Sequence, residues 1–116
     1  MRDANMDVRE VSVEEFEVMI ENHDDLLVVD VRDTAEFERG HIPGALLIPL
    51  GTLAGLPAEN LLGAHQKKTL ILCSQHGTRS AHAADKLRQM GFENVYSLAG
   101  GLSRWMSQGF ALVAKE

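Results

Sequence analysis

The chain has 116 residues, 45% of them hydrophobic, which suits one domain with a substantial core and shows no composition shift that would mark a second. A formal net charge of −6 argues against a nucleic-acid surface, so any anionic substrate has to be captured by a local cluster of donors. A single cysteine cannot close an internal disulfide, no apolar run reaches membrane-spanning length, and Met1-Arg2-Asp3-Ala4-Asn5 does not open a signal segment; the expectation is a soluble, cytoplasmic protein with no membrane association.

Along the chain, helical and strand patterns alternate, which predicts an α/β layer fold around a mainly parallel sheet. Ser12-Val13-Glu14-Glu15 reads as a capping box, and Val13, Phe16, Met19 and Ile20 share one face of a helix running from Val13 to about Glu21. Leu26-Leu27-Val28-Val29 is a continuous apolar run, as expected of a central strand covered on both faces. Asp33 to Arg39 predicts a short helix closed by Gly40, and Ala45 to Ile48 a short strand bracketed by Pro43-Gly44 and Pro49. The segment from Leu50 to His65, with Gly51, Gly55, Pro57 and Gly63, reads as a loop with a turn or two of helix near Ala58 to Leu62. Leu70-Ile71-Leu72 forms a strand ending at Cys73, and the next helix carries Ala83, Ala84, Leu87 and Met90 on one face before Gly91 stops it. Val95-Tyr96-Ser97 gives a last strand, Gly100-Gly101 a tight turn, and Leu102 to Gln108 a final helix with Trp105.

Cys73 is followed by Ser74-Gln75-His76-Gly77-Thr78-Arg79-Ser80, a sharp turn into a helix. There, backbone N–H groups and the positive helix end can converge on one spot, and a thiol held at that spot loses its proton readily. A buried cysteine at a strand end can equally be a small hydrophobe, and the Gly-Thr-Arg-Ser context tips the balance toward the reactive reading. Five scattered histidines and one cysteine supply no ligand cluster, so neither a metal nor an organic cofactor is implied.

Three ordered segments together resemble the rhodanese-like sulfurtransferase family, over about residues 11 to 109 of a single domain, 1–116. They are Asp30-Val31-Arg32-Asp33 through Glu36-Phe37, Gly40-His41-Ile42-Pro43-Gly44-Ala45; the Cys73 to Ser80 loop; and Leu98-Ala99-Gly100-Gly101-Leu102-Ser103-Arg104-Trp105. The resemblance implies a three-layer fold, with a five-stranded, mainly parallel sheet flanked by helices, and sulfur transfer through a cysteine persulfide. It also implies that Asp30 and Arg32 form a supporting network. His41, Gly100, Gly101 and Trp105 then read as architecture, the glycines for a tight bend and Trp105 as core or pocket wall.

The loop departs from the family pattern of Cys-x-x-Gly-x-Arg by one residue, and two registers follow. In one, Cys73 is the nucleophile of a seven-residue loop to Arg79, a width that also resembles the cradle of the phosphatases and arsenate reductases of this fold, although no leaving-group acid stands out nearby. In the other, Gly77-Thr78-Arg79-Ser80 keeps the usual register, Ser74 stands where the nucleophile belongs, and the domain is a non-catalytic binding module. The apolar run fits both. The reading carried forward has Cys73 as catalytic residue, because a lone cysteine beside an intact cradle is an improbable coincidence. Its thiolate takes the outer sulfur of a small anionic donor such as thiosulfate, or of a persulfide, and passes it to a thiol, a dithiol (possibly on a protein) or cyanide. Ser74, Gln75, His76, Gly77, Thr78, Arg79 and Ser80 then bind the substrate, with Arg79 recruiting its anionic end, Ser80 capping the helix and His76 an exposed loop residue.

Overall fold

The computed structural model describes residues 8–22, 25–55 and 67–114. Its strands are β1 (Arg9–Val11), β2 (Leu26–Asp30), β3 (Leu46–Leu47), β4 (Thr69–Cys73) and β5 (Val95–Leu98). The helices are α1 (Val13–Asn22), α2 (Thr34–Arg39), α3 (Leu50–Gly55), α4 (Thr78–Gln89) and α5 (Gly101–Ser107). All five strands are parallel, in the order β1-β5-β4-β2-β3. After β2 the chain moves outward to β3 on one side, and after β4 it moves to β5 on the other. The carboxyl ends of β2 and β4 therefore flank a topological switch point, where ligand crevices of open α/β sheets form.

Period-two alternation divides the core into two layers. Val29, Leu70 and Leu72 face Ala81, Ala83, Ala84 and Leu87 of α4, together with Leu53 of α3. Val28, Ile71 and Cys73 face Val13 and Phe16 of α1 and Leu102 and Trp105 of α5. Burial on both faces explains why β2 and β4 read as continuous apolar runs.

Local signals act where the sequence places them. Ser12 Oγ accepts the Glu15 N–H at 3.0 Å, and Glu15 Oε1 accepts the Ser12 N–H at 2.8 Å, which starts α1. Asp33 and Glu36 form the same reciprocal box at α2. Three elements differ from expectation. β1 holds a single buried position, Val11, which is too little to show a period, and its place comes from pairing with β5. β3 is confined to Leu46–Leu47, paired to Val29 and Asp30. Residues 50–55 form a helix despite Gly51 and Gly55, because Pro49 O accepts the Leu53 N–H and the Leu53 side chain is fully buried. The turn expected at Ala58 to Leu62 lies outside the described residues. Met90 is an exposed helix-end residue rather than a core one, lying beyond the last turn of α4. Among the described residues no helix is long and apolar enough to cross a membrane.

Candidate anion cradle

Strand parity decides which side chain enters the turn after β4. Leu70 and Leu72 point to the α4 layer, and Ile71 and Cys73 to the α1/α5 layer; the next residue, Ser74, turns back toward the N-terminus of α4. Cys73 is fully buried in the cluster of Phe16, Ile42, Ile71, Leu98, Leu102 and Trp105. Burial pushes its thiol pKa strongly upward, the neighbouring Asp30 carboxylate adds to this, and Arg32 opposes it in part. The thiol is thus held protonated in the core. Of the two registers open in the sequence, the alternating pleat puts the Cys73 side chain on the α1/α5 side of the sheet.

The centre is occupied by Ser74. Its Oγ accepts the N–H groups of Gly77 at 3.2 Å and Ser80 at 3.1 Å, and donates to Ser80 Oγ at 3.2 Å. Ser80 Oγ donates to Gly77 O at 3.1 Å, so the Ser97 hydroxyl, 2.8 Å away, is the donor in the remaining contact. Every proton of this buried serine trio has an acceptor in that arrangement. Counted from the oxygen that collects the loop amides, the cradle runs from Ser74 to Arg79 and has six residues. Gly77 caps α4 in the left-handed region at φ 96°, where an added Cβ would stand 3.2 Å from Gly100 N and 3.4 Å from Leu98 O. The N–H groups of Gln75, His76, Thr78 and Arg79 find no acceptor among the described residues, and those of Thr78 and Arg79 are the orphan donors of the first turn of α4.

The loop is held from behind by α5. Leu102 N–H donates to Ser74 O at 2.9 Å and Ser103 N–H to Gln75 O at 3.0 Å. Such proximity requires glycine at 101, whose φ is 60° and whose missing Cβ would stand 2.3 Å from Ser74 O. Arg32, almost completely buried, ties three parts together. It donates from Nε and Nη2 to Asp30 at 3.0 and 2.8 Å, from Nη2 to Gly40 O at 2.6 Å and from Nη1 to Gln75 Oε1 at 3.3 Å. His41 stacks on Phe37 at 3.7 Å and donates from Nδ1 to Phe37 O, and its backbone bridges Val113. Trp105 packs on Phe16 and Phe110, with its indole N–H on Ala111 O.

Two further contacts are not visible in the sequence motifs. Arg79 directs its fork at Glu36, with Nη1–Oε1 at 2.8 Å and Nη2–Oε2 at 3.0 Å, and these bonds hold the Glu36 carboxyl down at about 2. His76 Nδ1 lies 3.0 Å from Ser103 Oγ, which also receives the Gln75 amide at 3.2 Å. Beside the loop, Arg32, Glu36, Arg39, Gly40, Gln75 and Leu112 line a cavity of about 190 Å³. No group of three or more histidine, cysteine, aspartate or glutamate side chains suited to a metal occurs among the described residues.

An open parallel sheet with a loop of unpaired amides at its switch point defines an α/β domain of the class whose ligand crevices form at that position. The chain belongs to the rhodanese-like domain family, whose model matches residues 12–108. Its relatives place it in the rhodanese sulfurtransferase family. It is 30% identical over 109 residues to a sulfurtransferase of Allochromatium vinosum, covering 94% of this chain and 98% of that one. It is 38% identical over 78 residues to the thiosulfate sulfurtransferase GlpE of Shewanella oneidensis, covering 67% and 73%. The chain spans about half, 51%, of a 30% identical Bacillus subtilis relative named as a sulfur carrier protein. Among solved structures, a rhodanese-like domain protein of Staphylococcus aureus matches with a TM-score of 0.78 at 26% identity, covering 94% of this chain and all of that one.

Proposed function

We propose that this domain is a sulfur-binding member of the rhodanese family: its cradle holds the terminal sulfur of a persulfide or a sulfane-sulfur anion without taking that sulfur covalently. The observation that carries this reading is the Ser74 hydroxyl, which sits where the Gly77 and Ser80 amides converge while the only thiol of the chain is packed in the core. A serine oxygen cannot form a persulfide, so the amides of Gln75, His76, Thr78 and Arg79, which have no acceptor among the described residues, are the groups left to recognise a ligand. Counted from Ser74 the loop has six residues, one short of the width that suits a tetrahedral phosphate or arsenate.

A second reading, sulfur transfer through Cys73, is favoured by the relatives named sulfurtransferase. In it, the Cys73 thiolate attacks the outer sulfur of thiosulfate, the S–S bond breaks, sulfite leaves with the electron pair, and a thiol, dithiol or cyanide later removes the sulfur. That route requires Cys73 to leave the core and lose its proton. Intact-protein mass after incubation with thiosulfate or a persulfide donor separates the two. On the binding reading the wild type gains nothing, whereas Ser74→Cys gains one sulfur atom that cyanide removes. A one-sulfur gain in the wild type that disappears in Cys73→Ser would overturn it.

A further inference from the structure

Both guanidinium groups in contact with the loop are already matched by carboxylates. The Arg32 fork is spent on Asp30, Gly40 O and Gln75 inside the protein. Arg79, the last residue of the six-residue loop, is gripped by both oxygens of Glu36. Glu36 sits on α2, which carries Asp33 at its cap and Glu38 in its body against a single basic residue, Arg39. The charges of Arg32 and Arg79 are thus each matched by a carboxylate, and the loop itself offers a dianion backbone N–H groups, with Arg39 set apart in the adjoining cavity. The Arg79–Glu36 pair is also accessible, with 40% and 21% of the two side chains exposed, so a ligand can compete for it at modest cost.

From this geometry we infer that Glu36 is a specificity-determining residue: by neutralising Arg79 it turns the cradle against sulfur-oxyanion dianions such as thiosulfate and toward the terminal sulfur of a thiol persulfide, which carries at most one charge. The inference rests on the cradle being a sulfur-binding site, as proposed above. Glu36 gives selectivity in the sense of negative discrimination, since a dianion has to break two charge-assisted hydrogen bonds before it can use the arginine. A persulfide sulfur needs only the amides, and leaves the pair in place.

The test is titration of wild type, Glu36→Gln, Arg79→Gln and the double variant with thiosulfate and, separately, with a simple alkyl hydropersulfide, followed by amide chemical shifts of the loop. Glu36→Gln is expected to bind thiosulfate about three- to fivefold more tightly than wild type, the double variant to lose that gain, and hydropersulfide affinity to change less than about twofold. The glutamine retains the amide oxygen that accepts the Asp33 N–H, so the α2 cap survives. A merely structural ion pair would make Glu36→Gln and Arg79→Gln act alike, whereas selectivity requires tighter thiosulfate binding in the first and none in the second. Equal thiosulfate affinity in wild type and Glu36→Gln, or a tenfold loss in Arg79→Gln relative to wild type, would overturn the inference. Failure of the binding reading itself has a different signature: sulfur added covalently to Cys73, seen by mass in the same samples.

Discussion

Restoring sulfur to the centre of the cradle is the sharpest perturbation available. In Ser74→Cys, combined with Cys73→Ala so that only one thiol remains, the introduced sulfur inherits the Gly77 and Ser80 N–H bonds. The Ser80 hydroxyl can turn toward it and add a third, leaving Ser97 to satisfy itself on Ser80. A thiolate stabilised by two or three donors at the start of a helix has a pKa lowered by roughly two units from about 8.5, so that at pH 7.5 most of the thiol is ionised. The native Cys73 moves in the opposite sense, since burial raises it. The larger sulfur and the lost hydroxyl bonds cost roughly 1–3 kcal/mol, which a single domain of this size can absorb. Alkylation by iodoacetamide against pH reads the result directly: the double variant should titrate near pH 6–7, and the folded wild type should be inert across that range. The same variant, which keeps the Glu36–Arg79 pair, should accept one sulfur from an alkyl hydropersulfide and yield it to cyanide. A variant that melts cooperatively but alkylates only above about pH 8 and takes up no sulfur would refute the assignment of position 74 as the centre of the cradle.

Other consequences follow from the supporting contacts. Asp30→Asn leaves the buried Arg32 guanidinium without its counter-charge and should destabilise the domain by about 3–5 kcal/mol in urea denaturation; a loss below about 1 kcal/mol would remove the pair from the account of loop support. Gly101→Ala puts a methyl group 2.3 Å from Ser74 O at a positive φ, so it should cost at least about 2 kcal/mol and, in the Ser74→Cys background, return the thiol pKa toward 8.5 as the loop shifts. Glu36, with its carboxyl held at about 2, adds stability that is present above its unfolded value near 4.5 and is lost as pH falls through about 2. Because its partner Arg79 is 40% exposed, the contribution is only about 1 kcal/mol or less; the stability difference between wild type and Glu36→Gln should shrink between pH 4.5 and 2 and be flat above pH 5.

What the sequence makes legible is set by which interactions are local. The cap at Ser12, the strand runs at Leu26 and Leu70, and the α4 face at Ala83, Ala84 and Leu87 all report on residues a few positions apart, and the described fold contains each of them. The edge strand β1 escapes because one buried valine has no periodicity. The choice between Cys73 and Ser74 escapes for a subtler reason. In a strand buried on both faces, parity produces no contrast of polar and apolar residues, so Leu70-Ile71-Leu72-Cys73 cannot say which face α4 covers. Once the α4 layer is known to hold Leu70 and Leu72, the residue that enters the helix N-terminus is Ser74 by counting alone.

Two contacts of the cradle, Arg32 with Gln75 and Glu36 with Arg79, share one origin. β2 and β4 pair in parallel with Asp30 opposite Cys73, a separation of 43 residues. Both chains then leave the sheet side by side and turn into helices, and the same offset of 43 recurs at Arg32 with Gln75 and again at Glu36 with Arg79. A parallel register thus carries the pairing beyond the last strand residues and into the cradle. Glu36 meets Arg79 because the strands meet, and no spacing within either motif could have announced it. Shifting either turn by one residue would uncouple them, so the selectivity inferred for Glu36 depends on the lengths of the two turns as much as on its charge.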